Sequence, residues 1–440
     1  SFPEHDDITA ATFISQAEAI CHSCVTMDED LAQRRDRRLD RLLTSKRTGI
    51  PVMLALLGLI LWLTIVGANF PSQILSSLFS SWQEPLRQLL SFLPAPVCNA
   101  LVDGVYRTLA WVVAVMLPPM AIFFPLFTLL EDAGYLPRVA FNLDRCFACA
   151  GAHGRQSLTM CMGFGCNACG VTGCRIIDSP RERLIAMLTN NFVPCNGRFP
   201  LLIALLSIFF VNEQFGGTIL SALLLLCAIV FSVLMTLLAS KLLATTVLRG
   251  EHSAFSLELP PYRCPQFGQV IVRSLFDRTL FVLGRAVTVA APAGLLIYLL
   301  GNIQIGGLSL LAHIAGFFDP FARLLGLDGM ILLAFLLGFP ANEIVLPVLL
   351  MGYCSTGTLV EYASLGELQT LLLANGWTGV TALCVILFSL LHFPCGTTCL
   401  TLYRETKSIK WTLLGIALPT AFGLFTCFLV HTLAGVFHII

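Results

Sequence analysis

The segment Gly163-Phe164-Gly165-Cys166-Asn167 interrupts an apolar run with residues that can bind a ligand. Each glycine costs about 1 kcal/mol relative to alanine in a helix interior, so the pair predicts a helix break. A break exposes main-chain carbonyls and amides, and Cys166 and Asn167 add a thiol and an amide beside them. Two interpretations are open: the glycines allow helices to pack closely, or the broken segment lines a polar cavity.

A second segment repeats the first 175 residues later. Gly338-Phe339-Pro340-Ala341-Asn342 aligns with the first segment position by position, and Glu343 follows it directly. Each segment also precedes a Pro-Cys pair, Pro194-Cys195 in the first case and Pro394-Cys395 in the second. Paired broken segments are typical of transporters in which inverted repeats meet near the middle of the membrane. The repetition therefore favours the cavity over simple helix packing.

Glu343 is the most informative single residue. A carboxylate at the centre of a membrane helix costs roughly 3 kcal/mol on insertion scales, which indicates a function or a buried partner. Arg198, which follows Cys195 within an apolar run, is the candidate partner. The alternative is that Glu343 binds a cation, and the two interpretations are compatible.

The cysteines extend the cation interpretation. Thiolates combined with carboxylate and amide oxygens suit a borderline divalent transition metal better than magnesium or calcium. This donor set does not select among iron, zinc, cobalt and manganese. The candidate pathway residues are Cys166, Asn167, Cys195, Asn342, Glu343 and Cys395, and the candidate break residues are Gly163, Gly165, Gly338 and Pro340.

Other residues carry weaker signals. His392 lies three residues from Cys395, and Glu131 and Asp132 end an apolar run, so these and Arg198 are auxiliary candidates. The spacings Cys21–Cys24 and Cys146–Cys149 lack a second pair and favour packing, as do Cys161, Cys169 and Cys174. The chain has no Walker A, GxSxG, HExxH or GxGxxG motif. We therefore expect no enzymatic activity from this chain itself.

The composition predicts an all-α polytopic membrane protein. Of the 440 residues, 56% are hydrophobic and 12% are charged, against about 25% charged in soluble domains. Because the formal net charge is zero, no affinity for nucleic acid is implied. Seven apolar runs are long enough to cross a membrane once each, and two further runs contain the breaks. The predicted crossings are 49–68, 107–130, 184–211, 218–248, 279–301, 377–402 and 410–437, and the broken runs are 156–174 and 329–353.

The distribution of basic residues predicts the orientation. Suppose that the N-terminus is cytoplasmic and that each broken run enters and leaves the membrane on the same side. Then 22 of the 26 Lys and Arg residues lie in cytoplasmic segments, and four lie elsewhere: Arg87, Arg107, Arg198 and Arg323. This asymmetry follows the positive-inside rule. The two hairpins then enter from opposite sides.

The domain prediction separates a polar N-terminal part from the membrane part. Residues 1–47 are interpreted as an amphipathic helix over 8–25 and a basic connector over 28–47, and residues 48–440 as the transmembrane domain. Within it, the two gate repeats span about 130–248 and 305–437. Residues 70–100 contain four prolines and are predicted to be an interfacial loop with short helices.

Several long motifs resemble one family. "LEDAGYLPRVAFNLDR", "GFGCN", "DSPRERLIAMLTNNFVPCNGRFPL", "GFPANEIV" and "FPCGTTCLTLYRETKSIKW" occur in order and are similar to the membrane portion of the bacterial ferrous iron transport protein B (FeoB) family. The resemblance implies import of ferrous iron across the inner membrane through two gate repeats. It implies that the family's gate cysteines correspond to Cys166, Cys195 and Cys395 in this chain, and that the acidic residue of the second gate corresponds to Glu343.

The resemblance also implies an N-terminal GTP-binding domain, which this chain lacks, so GTP and magnesium would act only through that domain. The implied partners are that domain, small cytosolic proteins of the same system and lipid, and a homo-oligomer is compatible with the glycine-rich faces. The chain departs from the family where Asn342 replaces a frequent lysine, and at Pro194 and Asn196. Transport of another divalent metal or of a nucleoside-like solute is the alternative, and a redox-sensing membrane module is a third hypothesis.

Overall fold

The structure, a computed structural model, describes residues 13, 15–17, 20, 31–45, 47–211, 217–250, 262, 266, 268, 272, 279–359 and 365–437. The predicted amphipathic helix over 8–25 lies mostly outside the described residues, and Cys21 and Cys24 lie entirely outside them. Within the described part the fold is helical except for one two-stranded hairpin, β1 (Gln304–Ile305) and β2 (Leu308–Ser309).

The first group of helices leads from the connector through the first pair of breaks. They are α1 (Leu31–Leu43), α2 (Gly49–Leu89), α3 (Ala95–Asn99), a π-helix (Ala100–Tyr106), α4 (Arg107–Asp132), α5 (Tyr135–Cys149), α6 (Gln156–Gly165), α7 (Asn167–Gly173), α8 (Pro180–Thr189), α9 (Phe199–Phe209) and α10 (Gly217–Thr245).

The second group contains the second pair of breaks. They are α11 (Phe281–Asn302), α12 (Leu310–Leu324), α13 (Gly329–Leu337), α14 (Val345–Cys354), α15 (Leu365–Ala374), α16 (Gly379–Leu391), α17 (Gly396–Thr406) and α18 (Ile409–Val436). Short 3₁₀ turns follow α7, flank the break between α8 and α9, and precede α14.

Six helical segments of the described residues are long and apolar enough to cross a membrane. A seventh is reached if α12 and α13, which meet at 110°, count as one bent span. The prediction of an all-α polytopic membrane protein is confirmed. The six segments are Gly49–Leu89, Ala95–Asp132, Pro180–Phe209, Leu223–Thr245, Gly379–Thr406 and Ile409–Val436.

Several helices begin at capping residues that the sequence places there. Ser179 precedes Pro180 and accepts a hydrogen bond from the Glu182 backbone nitrogen, the arrangement expected of a capping box. Asp328 accepts from the Ile331 nitrogen at 2.6 Å and so starts α13. Thr378 caps α16 in the same way. These caps fix where the helices that lead into the breaks begin.

The prediction of an interfacial loop over 70–100 is wrong for its first part. Helix α2 runs without interruption over 41 residues from Gly49 to Leu89, with Pro71 and Pro85 inside it. A proline removes one main-chain hydrogen bond, and surrounding helix-forming residues can carry the helix through it, particularly in membrane helices. Only Pro94 and Pro96 mark a real change of element, at the start of α3.

One cluster ties the connector helix to the membrane helices. Arg138 on α5 is only 2% exposed, and its Nε lies 3.0 Å from Asp40 Oδ1 on α1. The Tyr262 hydroxyl donates to the same Asp40 oxygen at 2.7 Å, and the Arg138 guanidinium lies 4.1 Å from the Tyr262 ring centroid. Burial and the Asp40 hydrogen bond raise the pKa of Tyr262 to about 12, which keeps its hydroxyl as a donor.

Replacing Arg138 by methionine should destabilise the protein by about 2–3 kcal/mol, because a buried ion pair loses its cation while Asp40 remains. The measurement is the midpoint of thermal unfolding in detergent. Arg323→Met is the matched control, since Arg323 is 77% exposed in its pair with Asp319 and should cost less than about 1 kcal/mol. Equal losses for the two variants would contradict this role of Arg138.

Candidate functional site

The first break lies at Cys166, between α6 and α7. Its backbone is extended, with φ −154° and ψ 125°. The flanking glycines leave space for Asn190: a Cβ added at Gly170 would lie 2.8 Å from Asn190 Cγ. The Asn190 amide then donates to the Asn167 carbonyl at 3.1 Å. The glycines at this break therefore allow the backbone to change direction and allow the Asn190 side chain to approach it closely.

The second break lies at Ala341, between α13 and the 3₁₀ turn that leads into α14. Its backbone angles, φ −154° and ψ 122°, match those of Cys166, the residue that aligns with it 175 positions earlier. Gly338 ends α13 against Val345, where no side chain would fit. The alignment of the two segments therefore corresponds to the same local backbone, and the inverted orientation of the repeats stays a prediction.

The two Pro-Cys pairs form the other breaks. Cys195 is extended between two 3₁₀ turns, and Cys395 is extended immediately before α17. The Gly396 nitrogen donates to the Phe339 carbonyl at 2.6 Å, which joins the two breaks of the second repeat. The Cys395 sulfur lies 3.2 Å from the Thr398 hydroxyl.

Asn191 connects the breaks of the two repeats. Its amide nitrogen donates to the His392 carbonyl at 2.9 Å, and its oxygen lies 3.1 Å from the Asn167 amide. The residue is 3% exposed. Sequence reasoning missed Asn191, although its position just before the Pro194-Cys195 pair was a usable signal.

Arg198 binds main-chain carbonyls rather than Glu343. One guanidinium nitrogen donates to the Leu390 carbonyl at 2.9 Å and to the Asn191 carbonyl at 3.3 Å, and the other reaches the carbonyls of His392 and Phe393 at 3.5 Å. The last carbonyls of a helix have no partner within the helix, and a cation is favourable there. The candidate ion pair with Glu343 is therefore not formed, and Arg198, 1% exposed, closes the end of α16.

Glu343 lies against the first repeat. Its carboxylate packs over Gly197, where an added Cβ would stand 2.5 Å from Glu343 Cδ. The neighbouring Asn342 amide lies 3.6 Å from Cys195 Sγ, and its oxygen lies 3.3 Å from His392 Nε2. His392, an auxiliary candidate, thus contacts the site through Asn342.

A small cavity lies where the four breaks meet. It has a volume of about 30 Å³, enough for one ion or one or two waters, since a single water needs roughly 10–15 Å³ on this measure. The candidate residues that line it are Gly165, Cys166, Asn167, Cys195, Pro340, Asn342, Glu343 and Cys395.

Two methionines of α4, Met116 and Met120, also line the cavity. They lie four residues apart and so share one helix face. Sequence reasoning missed them, although this spacing beside Pro118 and Pro119 was visible. Their thioethers add soft sulfur to the wall.

The donors are gathered around the cavity but do not form a closed ligand set. Among the described residues, no three His, Cys, Asp or Glu side chains converge closely enough to hold a metal ion. The Cys166 thiol instead hydrogen-bonds with Cys169, a residue that the sequence assigned to packing. Metal binding by Cys166, Cys195 and Glu343 therefore requires a local rearrangement from this conformation.

The remaining candidates lie elsewhere. Glu131 and Asp132 end α4, and Asp132 is twelve residues from Met120, about 18 Å along the helix. They do not line the cavity. Cys146 and Cys149 are exposed, and Cys174 is buried.

Two protein-family models match the chain. The model described as "Gate: Nucleoside recognition" covers residues 113–209 and 283–409, which include all four breaks. The model described as "Ferrous iron transport protein B C terminus" covers residues 225–277.

Curated relatives match almost the full chain. A relative named Fe(2+) transporter FeoB from Staphylococcus aureus strain COL is 28% identical over 432 residues, 96% of this chain and 62% of its own length. A protein of the same name from Synechocystis sp. is 28% identical over 92% of this chain and 64% of its own. In Porphyromonas gingivalis, a Fe(2+) transport protein A/Fe(2+) transporter FeoB fusion protein is 26% identical over 91% of this chain and 52% of its own.

The chain thus spans 62% and 64% of the length of the two transporters and 52% of the length of the fusion protein. No solved structure matches it significantly.

Replacing Gly197 by alanine should push the Glu343 carboxylate out of its position at the cavity, because the new methyl group would overlap it. We expect the affinity for ferrous iron, measured by anaerobic titration of the purified chain, to fall about tenfold, or 1.4 kcal/mol. Gly58→Ala is the matched control, since nothing lies within 4 Å of that site. An unchanged affinity in Gly197→Ala would show that Glu343 does not need its present position.

Proposed function

The chain belongs to the ferrous iron transport protein B (FeoB) family, and on that premise we propose that it forms the membrane pathway through which ferrous iron enters a bacterial cell. The observation that carries the proposal is the cavity at the four breaks, with Cys166, Cys195, Cys395 and Glu343 in its wall. The relatives that match it are named as Fe(2+) transporters.

The proposed path places the ion at this junction. A cavity of about 30 Å³ leaves no room for a complete hydration shell, so iron would exchange most of its water for the thiols and the carboxylate. Soft sulfur beside one carboxylate favours a transition metal over magnesium or calcium. A nucleoside needs a pocket of several hundred Å³, so the size of the cavity argues against the nucleoside-like alternative.

Release would follow a movement of one repeat against the other, as in other transporters built from inverted repeats. The repeats, proposed at about 130–248 and 305–437, are joined at one end by an ion pair. Arg175 donates through two nitrogens to both carboxylate oxygens of Glu405, at 2.6 and 2.9 Å. Opening at that end requires this pair to separate.

The surroundings of the pathway are part of the proposal. Following the positive-inside rule, the N-terminus, with α1 and the basic connector over 28–47, lies on the cytoplasmic side of the inner membrane. A GTP-binding domain preceding residues 1–47 would act on the membrane part through α1 and the cluster of Asp40, Arg138 and Tyr262. GTP and magnesium would be bound there. The Porphyromonas gingivalis fusion supports a small partner protein related to transport protein A.

Substitutions in the cavity wall should abolish most of the iron flux. In proteoliposomes under anaerobic conditions, we expect Cys166→Ser, Cys195→Ser and Glu343→Gln each to lower ferrous iron uptake at least tenfold, because each removes a strong ligand. Cys227→Ser, on the exposed face of α10, is the matched control and should transport normally.

Competition separates the alternatives within the same assay. Inhibition of uptake by excess zinc or manganese would indicate a general divalent-metal transporter, and inhibition by nucleosides would support the other solute class. Wild-type uptake by all three cavity variants would contradict the assignment of these residues. If the wild-type chain binds iron but does not transport it, transport requires the GTP-binding domain.

The charges at the junction predict proton release on iron binding. Ferrous iron adds two positive charges beside Arg198, and Glu343, once ionised, balances only one of the three. Thiols must lose their protons to bind a metal, so about two protons should leave per iron, and binding should strengthen as the pH rises. A pH indicator in weakly buffered solution measures this release.

The single cysteine variants test the predicted number of protons released per iron. Cys166→Ser and Cys195→Ser should each release about one proton fewer than the wild type, while Cys227→Ser should release the wild-type number. Iron binding without proton release would exclude thiolate ligands.

A further inference from the structure

A second, larger cavity of about 430 Å³ is lined by residues of α2 and α4, together with Pro347 of α14 and Leu359. Ser76, Ser80 and Gln83 line it from α2, at the spacing of one helix face, and Arg107 and Trp111 line it from α4, one turn apart. Every one of these side chains carries a hydrogen-bond donor. Ser80 donates to the Ser77 carbonyl and Gln83 donates one amide hydrogen to Asp103. The donors left for a ligand are those of Ser76, Arg107 and Trp111 and the second amide hydrogen of Gln83.

Two of the donors have no protein acceptor within the described part of the chain. The Trp111 indole nitrogen is buried without a hydrogen-bond partner. Arg107 forms none of the ion pairs found among the described residues. A buried donor without an acceptor is rare in native proteins and points to a missing ligand or water.

The nearby acid does not neutralise Arg107. Asp103, one turn before it, accepts from Arg87 at 2.8 Å and from Gln83 at 2.9 Å. The Tyr106 hydroxyl is likewise engaged, since it donates to the Phe79 carbonyl at 2.7 Å. The guanidinium of Arg107 and the indole of Trp111 are thus left for an anionic ligand.

The backbone before Arg107 is unusual. Residues Ala100–Tyr106 form a π-helix, a rare conformation that is frequently found at functional sites. It packs closely on α11, where a Cβ added at Gly104 would lie 2.8 Å from Tyr298 Cβ. This packing holds the turn that presents Arg107.

Helix lengths place the cavity at the membrane surface. Helix α4 has 26 residues, about 39 Å from Arg107 to Asp132, and the hydrocarbon core is about 30 Å thick. Ser76 lies 27 residues, about 40 Å, from Gly49 on the antiparallel helix α2. Both sides of the cavity therefore reach headgroup level, in the leaflet opposite Asp132.

We propose that this cavity is a binding site for a phosphate group, held by Arg107 and Trp111 with hydroxyl and amide donors of α2. The phosphate of an anionic lipid headgroup and free inorganic phosphate share this chemistry, and the depth of the cavity favours the lipid. The site shares no lining residue with the cavity at the four breaks.

The test uses the purified chain in non-ionic detergent after delipidation. It is titrated with phosphatidylglycerol, with diacylglycerol, which has the same chains but no phosphate, and with inorganic phosphate. The readouts are the midpoint of thermal unfolding and the number of lipids retained in native mass spectrometry. We expect phosphatidylglycerol to stabilise the wild type and diacylglycerol to have no effect.

The variants are Arg107→Gln and Trp111→Phe, with Arg323→Gln as the matched control. Arg107→Gln should weaken phosphatidylglycerol binding about tenfold, because it removes charge-assisted hydrogen bonds. Trp111→Phe keeps an aromatic ring but removes the N–H donor along with the five-membered ring, so it should weaken binding about threefold even if Arg107→Gln folds poorly. Arg323→Gln should bind as the wild type does.

Comparing the three titrations also identifies the source of the phosphate. Stabilisation by phosphatidylglycerol alone assigns the site to a lipid, and stabilisation by inorganic phosphate that Arg107→Gln weakens assigns it to a soluble anion. Equal stabilisation by diacylglycerol, or wild-type phosphatidylglycerol binding in both variants, would overturn the proposal.

Discussion

The guanidinium of Arg198 against the last turn of α16 is the interaction on which the junction depends. Breaking a helix inside a membrane leaves carbonyls without donors, and lipid offers none. Arg198, from the first repeat, supplies donors to the Leu390, His392 and Phe393 carbonyls of the second. Asn191 adds another at His392. The backbone of one repeat is thus satisfied by side chains of the other.

This arrangement separates structural from chemical residues. Because Arg198 and Asn191 satisfy the backbone, the thiols and the carboxylate at the same place are not needed to close the helix ends. Cys195 and Glu343 instead meet across the repeats, through Asn342 and over Gly197. A scaffold that is stable without ligand can leave such groups uncommitted, which suits the proposed site, where a cargo would be released as well as bound.

Much of the junction could be predicted from the sequence because its signals are local. A glycine or proline within an apolar run marks a break wherever the chain folds, and the offset of 175 residues identified Ala341 as the counterpart of Cys166. Asn191, Met116 and Met120 escaped prediction because their roles depend on which elements pack together. The loop predicted around Pro71 was wrong for the opposite reason, since helix formers on both sides outweigh one lost hydrogen bond.

The distribution of contacts between the repeats indicates where they can separate at the lowest free-energy cost. At the centre, Arg198 and Asn191 are 1% and 3% exposed, so separating them from their carbonyls would leave buried polar groups unpaired, at about 1–3 kcal/mol each. At the end, one ion pair joins the repeats: Arg175 is 70% exposed and can exchange Glu405 for water, while Glu405 is only 11% exposed and loses its partner. Separation at the edge breaks one ion pair, whereas separation at the centre breaks several buried hydrogen bonds, so the edge separates at the lower free-energy cost. In the proposed mechanism, a rocking motion that pivots on the centre and opens the edge would change access to the cavity while the helix breaks stay closed.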